Sequence, residues 1–209
     1  MFFLLLMTDK CLHLIKNHMK KISLTLILLA ISTFTFAQSF KFGPKVGVNV
    51  SNYTSGDIKS DALVGFHLGG LLNFGIGEHF SIQPEVLFST QGAKVDDGVK
   101  TEKYKTSYVT VPVMFKLKTS GGFYIEAGPQ VSFKTGEDIP NQTIDHFSKN
   151  LDLALGGGLG YQSGIGLGIG ARYIAGLSKV GDFSGQNINP DFKNSVIQVS
   201  VFWAIPVVK

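Results

Sequence analysis

Cysteine is almost missing: Cys11 is the only one in 209 residues. It lies ahead of the one long apolar run rather than at its end, which argues against a lipoprotein anchor. Once the start of the chain is removed, no thiol, no disulfide and no cysteine metal site is left. A dominant charge of one sign is lacking as well. The 19 Lys and Arg face 15 Asp and Glu. Lys10, Lys16, Lys20 and Lys21 against Asp9 belong to residues 1–37, so the remainder carries 15 basic and 14 acidic residues, a formal charge of +1. That balance gives no argument for nucleic acid. Long apolar runs are absent beyond Phe36, and the run from Ile22 to Phe36 is too short and wrongly flanked for a retained spanning helix.

That run follows Met19-Lys20-Lys21 and closes on Thr35-Phe36-Ala37 before Gln38. A basic start, an apolar centre and a small residue at the cut predict a cleaved secretory signal peptide. Residues 1–37 are therefore expected to be an upstream extension plus signal, with Met19 the expected true start, and 38–209 a single exported domain.

From Phe40 to Ile205 apolar and polar residues alternate. In Phe42-Gly-Pro-Lys-Val-Gly-Val-Asn-Val-Ser51, Phe42, Pro44, Val46, Val48 and Val50 share one face and Gly43, Lys45, Gly47, Asn49 and Ser51 the other. A strand places successive side chains on opposite faces, so the pattern predicts a sheet with one apolar and one polar surface. Strands are expected near 41–51, 62–74, 79–91, 106–118, 122–134, 151–162, 164–177 and 194–205. Strands of soluble domains usually run about five or six residues, whereas a tilted membrane strand needs roughly 9–11. The connections 52–61, 92–105, 135–150 and 178–193 are long, and 75–78, 119–121 and Ser163 are short. Strict alternation of long and short is the pattern of outer-membrane barrels, which have short periplasmic turns and longer outer loops. The expectation is an all-β, eight-stranded, antiparallel up-and-down transmembrane barrel, apolar outside and polar inside, in the outer membrane of a Gram-negative cell.

The expected outward face carries no charge, as lipid contact requires. Phe42, Phe74, Phe80, Phe115, Phe123, Tyr161 and Trp203 fall near the short-turn ends and predict a periplasmic aromatic girdle. A sparser upper set is Tyr53, Phe88, Phe133 and Tyr173. Inward lie Lys45, Asn49, His67, Gln83, Glu85, Lys116, Glu126, Gln130, Asp152 and Arg172. Buried ions must pair, so Arg172 with Lys45 or Lys116 is expected to face Glu85, Glu126 and Asp152. The network reads as structural neutralisation ahead of a gate or proton path, because eight strands leave an interior just filled by side chains. Gly156, Gly158, Gly160, Gly164, Gly166, Gly168 and Gly170 recur with period two inside the expected strands, so they form no phosphate-binding loop. They make room for inward Tyr108, Tyr124 and Phe202.

Gly43-Pro-Lys-Val-Gly-Val-Asn-Val-Ser-Asn52, Gly65-Phe-His-Leu-Gly-Gly70, Phe80-Ser-Ile-Gln-Pro-Glu-Val-Leu-Phe-Ser89 with Gln91-Gly92, Tyr108-Val-Thr-Val-Pro-Val113 and Tyr124-Ile-Glu-Ala-Gly-Pro129 resemble the PorT-like outer-membrane β-barrel family. The resemblance covers nearly the whole exported part and implies an eight-stranded outer-membrane barrel. Its named member is linked to protein secretion and gliding; most members are generic barrels without an assigned activity. One departure is the C-terminus, where Ile205-Pro-Val-Val-Lys209 follows Trp203 in place of a final aromatic residue.

Some eight-stranded barrels are lipid-modifying enzymes. Asp145, His146 and Ser148 have the residue types of a nucleophilic site, but adjacency in an exposed loop does not make a triad. His79 beside Glu78 lacks the further ligands of a metal site. No catalytic, cofactor or metal residues are expected. The outer loops 92–105, 135–150 and 178–193 are the expected functional parts, facing a protein or glycan partner, while the belt meets outer-membrane lipid and the barrel stays monomeric. The rivals are a soluble periplasmic barrel with reversed faces that binds a lipid or other apolar ligand and, further off, a lipid-modifying enzyme or narrow pore.

Overall fold

Long runs of strict alternation can satisfy their backbone groups only by pairing side by side. In the computed structural model the described residues are 39–54, 60–96, 101–138, 150–178 and 193–207, and nearly all of them are in strands. The strands are β1 (Phe40–Thr54), β2 (Ser60–Ile76), β3 (Phe80–Asp96), β4 (Thr101–Lys118), β5 (Phe123–Asp138), β6 (Leu151–Gln162), β7 (Leu167–Gly176), β8 (Lys193–Trp203) and the short β9 (Ile205–Pro206). Each of β1 to β8 pairs antiparallel with its neighbours in the chain, and β8 returns to β1 through pairs such as Val48↔Val199. The result is a closed eight-stranded antiparallel barrel. After Ala204, β9 continues on β1 through Lys41↔Pro206 and Phe42↔Ile205.

The faces follow the alternation. Val46, Val48, Val64, Leu68, Ile125, Leu159, Val199 and Val201 lie exposed on the outside, Val64 at 70%. Lys45, Glu85, Lys116, Glu126 and Arg172 are buried inside. A soluble barrel with an apolar interior needs the opposite arrangement, and this distribution excludes it. Phe42, Phe115, Phe123, Tyr161 and Trp203 are exposed near the ends joined by the short turns 77–79, 119–122 and 163–166, with Phe74 and Phe80 half-buried beside them. Phe80 stacks on Phe115 with centroids 6.4 Å apart, and Phe123 meets Tyr161 edge-on at 5.3 Å.

Four expectations need correction. The strands extend further at the long-loop end, where β3 and β4 stay paired through Gly92↔Lys105 out to Asp96↔Thr101. Most of 92–105 is therefore paired ribbon, and its connection, 97–100, is as short as a periplasmic turn. The alternation of long and short connections thus fails there, because strand pairing continues past the apolar belt. Second, β7 begins at Leu167, so Ser163–Gly166 is a turn and not a one-residue connection. In that turn Ser163 N–H donates to the Leu167 carbonyl and Gly166 N–H to the Ser163 carbonyl. Gly166 has φ +89°, a backbone conformation that favours glycine. Third, Gly164 and Gly166 consequently lie in the turn and not on the lumenal face. Fourth, Tyr53 points inward and is 6% exposed, so it leaves the outer aromatic set; Phe88, Phe133 and Tyr173 remain outside.

Among the inward glycines, Gly168 and Gly170 make the space they were expected to make. A Cβ on Gly168 would run into the Phe202 ring, and one on Gly170 into the Tyr124 hydroxyl. Tyr124 and Phe202 pack edge-to-face across that space, 6.1 Å apart. The signal peptide and its cut site (1–37), most of 135–150 and 178–193, and Asp145, His146 and Ser148 lie outside the described residues.

Candidate functional site

The lumen is built in layers. In the lower one, Glu85 of β3 receives Lys45 of β1 at 2.9 Å and Arg172 of β7 through both terminal nitrogens, at 2.9 and 3.1 Å. Gln83 Nε2 donates to the same carboxylate at 2.8 Å. Arg172 also grips Glu126 of β5, with Nε at 2.9 Å and Nη2 at 2.8 Å. Lys116 of β4 sits directly opposite Glu126 in the strand register, with Nζ 3.6 Å from Oε2. It donates to Gln83 Oε1 at 3.2 Å and lies 3.8 Å from the centroid of the Tyr124 ring and 4.6 Å from that of Phe202. The rings help hold an ammonium group whose one carboxylate contact, Glu126, is long. Three cations face two carboxylates, so the cluster carries one excess positive charge.

The structure thus brings Lys45, Glu85, Lys116, Glu126 and Arg172 together. Asp152 is not among them, which corrects its expected place. It lies near the long-loop end, accepting from Ser178 Oγ at 2.5 Å and Asn194 Nδ2 at 3.0 Å. Its alternation parity is inward, but its height along the barrel separates it from the cations. Parity gives the face and not the height.

Above the ions lies a neutral layer. Asn49 Nδ2 donates to the Phe66 and Thr90 carbonyls and to Ser89 Oγ, so its Oδ1 is left to accept. His67 Nδ1 lies 2.7 Å from that oxygen, which makes Nδ1 the protonated nitrogen, and Nε2 then accepts from Ser200 Oγ at 2.8 Å. Asn49 and His67 were expected to face inward; their link to Ser200 was not foreseen. The sequence clue is Gly47, which pairs with His67 on one side and Ser200 on the other. A Cβ there would strike the imidazole, so the glycine opens the path between them. Ser200, His67 and Asn49 have the order of nucleophile, base and orienting group. His67 and Asn49 are 0% exposed, which closes the arrangement to a reactant.

The outer face also has relief. Apolar grooves of about 510 Å³, between Leu117, Phe123, Ile125 and Leu159, and about 360 Å³, between Phe42, Leu72, Pro84 and Val86, lie in the exposed belt.

A barrel of this strand number, with a charged interior and an aliphatic belt, is the architecture of an outer-membrane protein. The family model described as outer membrane protein beta-barrel domain matches residues 36–182. The chain belongs to that family. Solved structures similar to this barrel include Neisserial surface protein A, 13% identical over 78% of this chain and 96% of that one, with a TM-score of 0.48. Ail, the attachment invasion locus protein of Yersinia pestis, is 12% identical over 80% and 99%, with a TM-score of 0.48. OprG from Pseudomonas aeruginosa is 14% identical over 80% and 93%, with a TM-score of 0.46. No curated protein matches the chain by sequence. Family members reside in the outer membrane, with the apolar belt in lipid.

Proposed function

We propose that this barrel is a non-enzymatic scaffold that displays its long-loop end to a protein or glycan partner in the cell envelope. The observation that carries this reading is the packing of the lumen: the Glu85–Arg172–Glu126 cluster, the rings of Tyr124 and Phe202, and the His67 layer fill its cross-section with tightly paired groups. A filled barrel is a rigid frame, and its variable surface lies at the loops. The β3–β4 ribbon adds a second support, since it carries exposed Lys103 and Lys105 beyond the belt. Within the family, the motifs from Gly43 to Pro129 support a PorT-like placement and, through it, a link to protein secretion or envelope function. Export by a cleaved signal at Ala37 and a monomeric state belong to the same reading.

The test is replacement of 139–149 and 179–192 by short turns. The shortened barrel should still reach outer membranes and shift in gel mobility on boiling, while a partner cross-linked to the full-length protein on cells is lost. Recovery of the same partner by the shortened form, or lipid acyl transfer by the purified full-length barrel, would overturn the reading.

A further inference from the structure

The short-turn end of the lumen holds a feature that neither the scaffold role nor the ion cluster uses. A cavity of about 60 Å³ lies just inside this mouth, bordered by Lys41, Lys116, Lys118, Ser81 and Gln162. A single water needs only about 10–15 Å³ measured this way, so the space takes several waters or one tetrahedral ion. Its walls are rich in unused donors. Among the described residues, the ammonium groups of Lys41 and Lys118 make no ion pair or hydrogen bond. Lys116 forms the floor, its ammonium already held by Gln83 Oε1 at 3.2 Å and Glu126 at 3.6 Å, so it adds positive charge more than free donors. The Ser81 hydroxyl already accepts from Asn73 Nδ2 at 3.0 Å, so its own hydrogen is free to donate. Gln162 is 5% exposed and its side-chain amide has no partner among the described residues. The amide borders the cavity, where its hydrogens remain open to a ligand. Among the described residues the one carboxylate at the rim is Glu78, in the exposed turn.

We propose that this mouth binds a phosphate-class oxyanion. Three lysines offer only donors, and Ser81 and Gln162 add neutral ones, which suits a small ion with several acceptor oxygens. The excess positive charge of the lumenal cluster adds attraction from behind. The ion stops at the mouth, because Tyr124 and Phe202 close over Lys116 and the Arg172 guanidinium is occupied by two carboxylates. The volume admits the phosphate group alone. Its source is either free phosphate in the periplasm or the headgroup of an inner-leaflet phospholipid, since short turns face the periplasm in such barrels.

The experiment uses the purified folded barrel, titrated with inorganic phosphate by calorimetry against chloride of equal ionic strength. A parallel arm uses nanodiscs of phosphatidylglycerol or phosphatidylcholine, with retained lipid read by native mass spectrometry. Wild type should bind saturably. Lys41→Gln with Lys118→Gln should weaken binding at least tenfold, and Lys103→Gln at the opposite end should leave it unchanged. Mobility before and after boiling reports whether each variant is folded. If the double variant does not fold, Gln162→Leu and the single lysine variants replace it, each with an expected loss of at least threefold. Lysine-dependent binding of free phosphate identifies the soluble ion; lysine-dependent retention of lipid alone identifies the headgroup. Equal binding by wild type and folded variants in both arms, or no binding in either, overturns the site.

Discussion

Glu85 is the residue on which most of the lumen converges, receiving Lys45, Arg172 and Gln83. Removing one member of a buried ion cluster leaves the others uncompensated, which typically costs about 3–5 kcal/mol. Glu85→Gln should destabilise by about that amount in denaturant unfolding from lipid vesicles, and Lys45→Met in the same chain should recover part of it. Steric fit can be tested just as locally. The nearest atoms a Cβ on Gly168 would meet all belong to the Phe202 ring. Gly168→Ala should cost about 1–3 kcal/mol through overpacking, and Phe202→Leu should relieve it, so the two changes together cost less than their sum. Additive costs in that cycle would show that the glycine is kept for another reason. Both residues were legible in the sequence as inward-facing. The His67–Ser200 link was not, because it depends on the register of β1 against β2 and β8, which alternation alone leaves open.

At the level of strands, most of the pattern was readable because period two is imposed by lipid on one side and a packed lumen on the other. Leu151–Gln162 matches the expected sixth strand end to end. The errors fall where that pressure ends. Beyond the belt, β3 and β4 stay paired although most of their residues there are polar, so composition suggests a loop where the backbone is still a ribbon. In Gly164-Ile-Gly-Leu-Gly168 alternation runs unbroken through a turn, because glycine fits both states. The belt makes a graded prediction. Val199, mid-strand in β8 and exposed between Val48 and Ala171, should tolerate no charge. Val199→Arg should cost about 2–4 kcal/mol in folding into vesicles. Lys103→Gln on the ribbon, outside the belt, should change stability by less than about 0.5 kcal/mol. Equal costs at the two positions would remove the basis for placing the belt in lipid.

For the molecule as a whole, a filled lumen predicts that proteoliposomes swell no faster in small sugars or amino acids than protein-free liposomes. Swelling at porin-like rates would mean that the ion layers open. Architecture was legible at this scale because closure, strand number and inside–outside sense all follow from repeated local patterns. The partner was not, because the loops that would choose one obey no such repeat. Closure also has a temporal side. Gln198 of β8 donates to Asn49 of β1 across 149 positions, and the C-terminal strands β8 and β9 supply the pairing that seals the second edge of β1. Until the C-terminal residues have been synthesised and exported, the chain has two open edges and no interior, and lipid does not tolerate an open edge. The β1–β8 seam therefore acts as a completeness check: a prematurely terminated product lacks the partner that closes β1 and presents an open edge that lipid does not tolerate.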